Sequence, residues 1–257
     1  MKLASYADGS RDGHLVVVSR DLTQAHYANG IATRLQQVLD DWGFLSPQLE
    51  DLSVQLNHGK LRHAFAFEPE KCLAPLPRPY GWSVLQPDGS LRREAGDLLG
   101  PTQPLRAVAR PEPALALIAG DLAAASEAGA ALDALRLLTL ALDWRLDGEL
   151  LASQAAPLAV TPDELGPAWQ GGRLQARLQL MHNGAKQEAV EQSLAPAAAL
   201  ARAARLRRLR AGQWVGIALP VPELALAAGD SLRMDLKNAD GQSLFGAIDL
   251  DLGSPDA

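Results

Sequence analysis

Residues Ala107–Asp147 read AVARPEPALALIAGDLAAASEAGAALDALRLLTLALDWRLD, and two apolar runs within them set the architecture. The first, Ala114–Ala119, is short and bounded by Pro113 and Gly120, which suggests a strand buried on both faces. A helix is expected to follow from Ser126. The second run, Leu135–Leu146, reads equally as a helix end or as a strand, and it ends in the charged phrase LDWRLD.

Upstream, Lys2–Tyr6 and His14–Ser19 read as two strands about an Asp8-Gly9 turn, a β-hairpin. Apolar residues then recur at Ile31, Leu35, Val38, Leu39 and Trp42, and again at Leu45, Leu49, Leu52 and Leu56. That spacing predicts two short amphipathic helices, the second starting at a Ser46 N-cap with Pro47 in its first turn. Residues 73–113 are crowded with proline and glycine, which places a domain junction near Leu73. Downstream, Arg173–Met181 alternates and meets the turn residues His182-Asn183-Gly184. An alanine-rich helix is expected from Ala197 to Arg210, and Ser231–Lys237 with Ser243–Leu250 reads as a closing hairpin. Strands and helices do not alternate regularly, so the class is α+β with a mainly antiparallel or mixed sheet.

The 257 residues are 47% hydrophobic and 21% charged, enough to bury a sizeable core. Only the closing GSPDA reads as disordered. The net charge of −6 repels polyanions, so nucleic acid is not expected as a partner. Five arginines, Arg202, Arg205, Arg207, Arg208 and Arg210, read as the solvated end of the alanine-rich helix. Cys72 is the only cysteine, which excludes an intrachain disulfide and a cysteine-rich zinc site. No apolar run is long enough to span a bilayer and the N-terminus has no apolar leader, so a cytoplasmic protein without a membrane role is expected. His14, His26, His58, His63 and His182 show no metal-ligand spacing, and the five tryptophans read as core anchors.

Several phrases in order, MKLASYADGSRDGHLVVVSRDLTQAHYANGIATRLQQVLDDWGFLSPQLEDL at the start, then LNHGKLRHAF, APLPRPYGW, DLLGP, IAGD, AVTPDELGPAW, LRAGQWVG and DGQSLFGAID, resemble the bacterial fumarylacetoacetate hydrolase family. The resemblance implies a small N-terminal α/β domain, residues 1–72, followed by a mixed β-roll or β-sandwich domain, residues 73–257, in a dimer. It also implies a divalent cation, typically magnesium, manganese or calcium, that holds a keto-enolate while water attacks the neighbouring carbonyl of an acylpyruvate-like compound. Hard oxygen ligands are what such an ion requires.

Against the family pattern this chain keeps some site residues and replaces others. Of the family's Glu-x-Glu ligand pair Glu112 remains, while the second position is Ala114; the family's aspartate ligand corresponds to Asp143. The family's arginine four positions on is here Asp147, and no lysine occurs between Lys71 and Lys186. The segment Ser83–Gly96, which in the family carries a water-activating histidine, has none, and VGIALPVPELALAAGD shortens the C-terminal part of the site. Taken alone, Glu112 reads as a solvent-exposed loop carboxylate between prolines, and Asp143 as a cap or turn residue or a ligand. The expectation is a catalytically degenerate family member with no catalytic residues, Glu112 and Asp143 as remnant metal ligands, and magnesium or manganese absent or weakly bound. Its role would be that of a small-molecule-binding, regulatory or partner subunit, a homodimer or a heteromer with an active relative, with a small keto acid as ligand. The alternative is a divergent metal-dependent hydrolase, decarboxylase or isomerase using Glu112, Asp143 and Asp147.

Overall fold

The computed structural model describes residues 1–94, 96–105 and 107–253, so Ser254–Ala257 of the polar tail lie outside the described residues. The N-terminal hairpin forms as read, with β1 (Lys2–Tyr6) antiparallel to β2 (His14–Val18) and β3 (Gln24–Tyr27) added beyond it. Helices α1 (Leu35–Asp40) and α2 (Trp42–Asn57) follow. Ser46 is not an N-cap: the Leu45 amide bonds the Asp41 carbonyl, so α2 starts at Trp42 and runs through Pro47. Proline this near a helix start removes one backbone bond, and the buried face Leu49, Ser53 and Leu56 holds the helix in place.

Next come β4 (Phe65–Ala66), β5 (Gly81–Leu85), β6 (Leu91–Glu94), β7 (Leu98–Leu99) and β8 (Arg110–Ala119), the last longer than the apolar run that announced it. The short helix α3 (Ala128–Asp133) precedes β9 (Leu135–Leu146), so the ambiguous run is a strand. Its antiparallel pairing with β8 along almost its whole length decides the matter, since tertiary partners override weak local preference. After β9 come β10 (Glu149–Ala155), β11 (Ala159–Val160), β12 (Trp169–Gln170), β13 (Arg173–His182), β14 (Ala185–Lys186) and β15 (Val190–Leu194). Helix α4 (Pro196–Ala204), β16 (Gln213–Ala218), β17 (Ser231–Lys237) and β18 (Ile248–Asp251) complete the chain. Helix α4 stops six residues short of Arg210 because Leu209 exchanges backbone bonds with Leu122, and the arginines Arg205, Arg207, Arg208 and Arg210 lie exposed beyond its end.

The larger sheet has the order β4-β3-β2-β1-β11-β9-β8-β16-β5-β6, with β10 on β9 and β7 on β10. It is antiparallel except at β16–β5 and β10–β7. The smaller sheet is built around β13, which pairs with β12, β14, β15 and β17, with β18 outside β17. This is a mixed α+β fold. Strands β8 and β9 lie at its centre, and the two-residue period sends their side chains into two cores. Leu115, Leu117, Leu138, Leu140, Leu142 and Trp144 join the core that includes the smaller sheet. Ala114, Ala116, Ile118, Leu137 and Ala141 join the core under α1 and α2 with Trp82 and Trp214. Among the described residues no helix is long and apolar enough to cross a membrane.

Candidate functional site

Glu112 on β8 and Asp143 on β9 are direct cross-strand partners. Residues at even positions of β8 and odd positions of β9 share a face, so Glu112, Ala114, Asp143 and Arg145 all project from the helix side of the sheet. Neither carboxylate sits in a loop or cap. Asp143 lies mid-strand and is 1% exposed, while Glu112 is strand-borne with a half-buried side chain. The prolines that flank Glu112 are accommodated within β8 itself.

Asp143 is held asymmetrically. Its Oδ1 accepts from Trp82 Nε1 at 3.0 Å and from Ser153 Oγ at 2.5 Å, whereas its buried Oδ2 has no hydrogen-bond partner. The nearest cation to Oδ2 is Arg92 Nη2, at 4.0 Å. Burial pushes this carboxyl up to about 6; the bonds from Ser153 and Trp82 oppose the rise, and the nearby Glu94 charge adds to it.

Glu112 belongs to a closed ring of charges. Its Oε2 accepts from Arg92 Nη2 at 2.6 Å and from Arg145 Nε at 3.1 Å, and its Oε1 accepts from Arg110 Nη2. Across the ring, Glu94 Oε1 accepts from Arg92 Nε and Arg145 Nη2. The circuit Glu94, Arg92, Glu112, Arg145 thus alternates in sign, and the Glu94 and Arg145 side chains are buried. Burial alone would raise the Glu112 carboxyl, but the Arg92 bond and the Arg110 and Arg145 charges bring it below its ordinary value. Glu94, Arg92 and Arg145 were not singled out from the sequence. The signal that could have found them is charge at alternate positions, Arg92-x-Glu94, Arg110-x-Glu112 and Asp143-x-Arg145, in segments that form strands.

The remaining space on this face is taken by Trp82. A Cβ on Gly216 would lie 2.5 Å from Trp82 Cη2 and 3.2 Å from the Ala114 Cβ, so the indole rests on the glycine beside the alanine. Trp214 meets Trp82 edge-on at 5.9 Å between centroids. Beside the ring lies an open cavity of about 580 Å³ whose lining includes Arg92, Arg110 and Glu112 together with the apolar Val84, Pro113 and Leu219.

A divalent ion does not fit these residues. Both Glu112 oxygens are taken by guanidinium groups, Ala114 offers no donor, and among the described residues no three His, Cys, Asp or Glu side chains are grouped to hold a metal. Asp147 does not join Asp143 and Glu112: with a φ of 51° it is the first residue of the tight Asp147-Gly148 turn between β9 and β10, and it is exposed. Cys72 is buried, as are Trp82, Trp144 and Trp214.

Residues 1–78 match the family model described as fumarylacetoacetase N-terminal domain 2. No curated protein sequence matches the chain. Among solved structures, maleylpyruvate hydrolase from Sphingobium sp. SYK-6 superposes with a TM-score of 0.71 at 18% identity, covering 99% of this chain and 100% of that one. That hydrolase is also known in complex with manganese (II) ion and pyruvate. The fumarylacetoacetate hydrolase of Exiguobacterium antarcticum gives a TM-score of 0.69 at 15% identity, with 99% of both chains covered. The 2-hydroxyhepta-2,4-diene-1,7-dioate isomerase of Mycobacterium marinum gives 0.66 at 15% identity, with both chains covered completely. Residues 1–78 thus match the model of a fumarylacetoacetase N-terminal domain, and along its length the chain has the fold of these solved hydrolases and isomerases.

Proposed function

We propose that this protein is a non-catalytic member of the hydrolase and isomerase superfamily whose fold it has, and that it binds a small carboxylate of the keto-acid type without a tightly held divalent ion. The observation that carries the reading is the state of Glu112: the carboxylate expected to face a metal is committed to three arginines. A volume of about 580 Å³ falls in the range of small-molecule sites. Its apolar walls suit a short carbon chain, and Arg110, which among the described residues donates only to Glu112, has donors left for a ligand carboxylate. In this role the protein serves as a regulatory or partner subunit, as a homodimer or beside an active relative. The divergent metal-dependent enzyme is not favoured, because Asp147 is out of reach of the other two carboxylates.

Calorimetric titration with pyruvate and with oxalate, each with and without manganese, tests the reading. Metal-independent binding that weakens at least tenfold in Arg110→Ala is the expected result. Metal-dependent acylpyruvate hydrolysis or oxaloacetate decarboxylation by the pure protein, abolished in Asp143→Ala, would overturn it.

A further inference from the structure

We infer that the Arg92 and Arg145 guanidinium groups act as a resident cation, standing in for a divalent ion between the Glu112 and Asp143 carboxylates. The inference deepens the reading of this site as closed to metal and names the cause. Arg92 Nη2 lies 2.6 Å from Glu112 Oε2 and 4.0 Å from Asp143 Oδ2, so a nitrogen occupies the gap between the two carboxylates that a shared ion would bridge. Arg145 closes the other side, with Nε on Glu112 and Nη2 on Glu94.

The charges balance without an ion. Arg92, Arg110 and Arg145 face Glu94, Glu112 and Asp143, three positive groups against three carboxylates. A divalent ion entering this cluster would meet guanidinium charge within a few ångströms and would have to displace N–H donors from the oxygens it needs at about 2.0–2.1 Å. The steric evidence is independent of the charges. Trp82 covers the Ala114 and Gly216 positions and donates to Asp143 Oδ1, so the oxygen on that side is also engaged. Guanidinium forks, the Trp82 indole and the Ser153 hydroxyl together occupy Glu112 and Asp143 Oδ1, where coordination would otherwise fall.

Paramagnetic resonance of added manganese, with melting temperature as a second readout, tests the inference on the full chain. The unaltered protein is expected to leave the free-ion signal unchanged at millimolar manganese. Arg92→Met/Arg145→Met should bind manganese at least tenfold more tightly. Its melting temperature, lowered by the exposed like charges, should recover by about 4 °C or more when the ion is added. Adding Glu94→Gln and Glu112→Gln should cancel that gain. If the double variant does not fold, Arg92→Met alone, at the more exposed of the two arginines, is expected to show the same gain in smaller measure.

Tight manganese binding by the unaltered protein, lost in Asp143→Asn, would overturn both the inference and the metal-free reading of function. Arginine variants that fold but bind manganese no better than the unaltered protein would overturn the inference alone. Carboxylate binding in the cavity would still stand.

Discussion

Replacing Asp143 by asparagine should stabilise the protein at neutral pH and leave it unchanged in acid. The side chain is 1% exposed and its carboxyl is raised from 3.8 to about 6, chiefly by burial. The folded state thus holds its proton to higher pH than the unfolded chain does. Below the unfolded value both states are protonated and nothing is lost. As pH rises from about 4 to about 6 the unfolded chain ionises first and stability falls, so above about pH 6 the native state carries the whole cost. A shift of about two units at 1.36 kcal/mol each amounts to about 3 kcal/mol. Asparagine keeps an oxygen to accept from Trp82 and Ser153, and its amide replaces Oδ2, which has no hydrogen-bond partner to lose. Urea denaturation of both proteins at about pH 3 and about pH 7 measures the effect. The expected advantage of the variant is near zero at the lower pH and about 1–3 kcal/mol at the higher. An advantage independent of pH, or a variant less stable at neutral pH, would refute the desolvation reasoning.

Two further outcomes follow from the packing. Gly216→Ala should cost about 1–3 kcal/mol and shift the fluorescence of the Trp82–Trp214 pair, because its methyl would lie 2.5 Å from the Trp82 ring; an unchanged urea midpoint would mean that the indole is not held there. Cys72, buried and with its thiol pushed far up by burial, should resist an aromatic disulfide reagent in native buffer and react at once in denaturant; fast native labelling would contradict its placement.

The fold was largely legible where one pattern admitted one structure. The hairpin at Lys2–Val18, the strand at Ala114–Ala119 and the turn at Asn183-Gly184, both in the left-handed region, follow from alternation and turn chemistry. Leu135–Leu146 was ambiguous because a continuous apolar run lacks a period, and only its pairing with β8 distinguishes strand from helix. The end of α4 at Ala204 is not legible locally, because the Leu209–Leu122 backbone exchange is a long-range event that local helix preference does not contain. At the site, the sequence suggested Glu112 and Asp143 as a pair, and the strands set them opposite each other. What surrounds them was hidden, since Glu94, Arg92 and Arg145 meet Glu112 only once three strands are assembled. A count of missing ligands cannot reveal which side chains fill their space.

The alternating ring of Glu94, Arg92, Glu112 and Arg145 also constrains how such a chain can change by descent. Losing Arg145 alone would leave the buried Glu94 carboxylate with Arg92 as its remaining partner, a loss on the order of 1–3 kcal/mol from a fold whose whole stability is about 5–15 kcal/mol. Losing Glu94 alone would leave Arg92 and Arg145 crowded on Glu112 with no second carboxylate between them. Each single step away from the ring is downhill in stability, while paired replacements are far milder. A chain that carries these four residues therefore leaves the ring through compensated double changes, or only after gaining stability elsewhere.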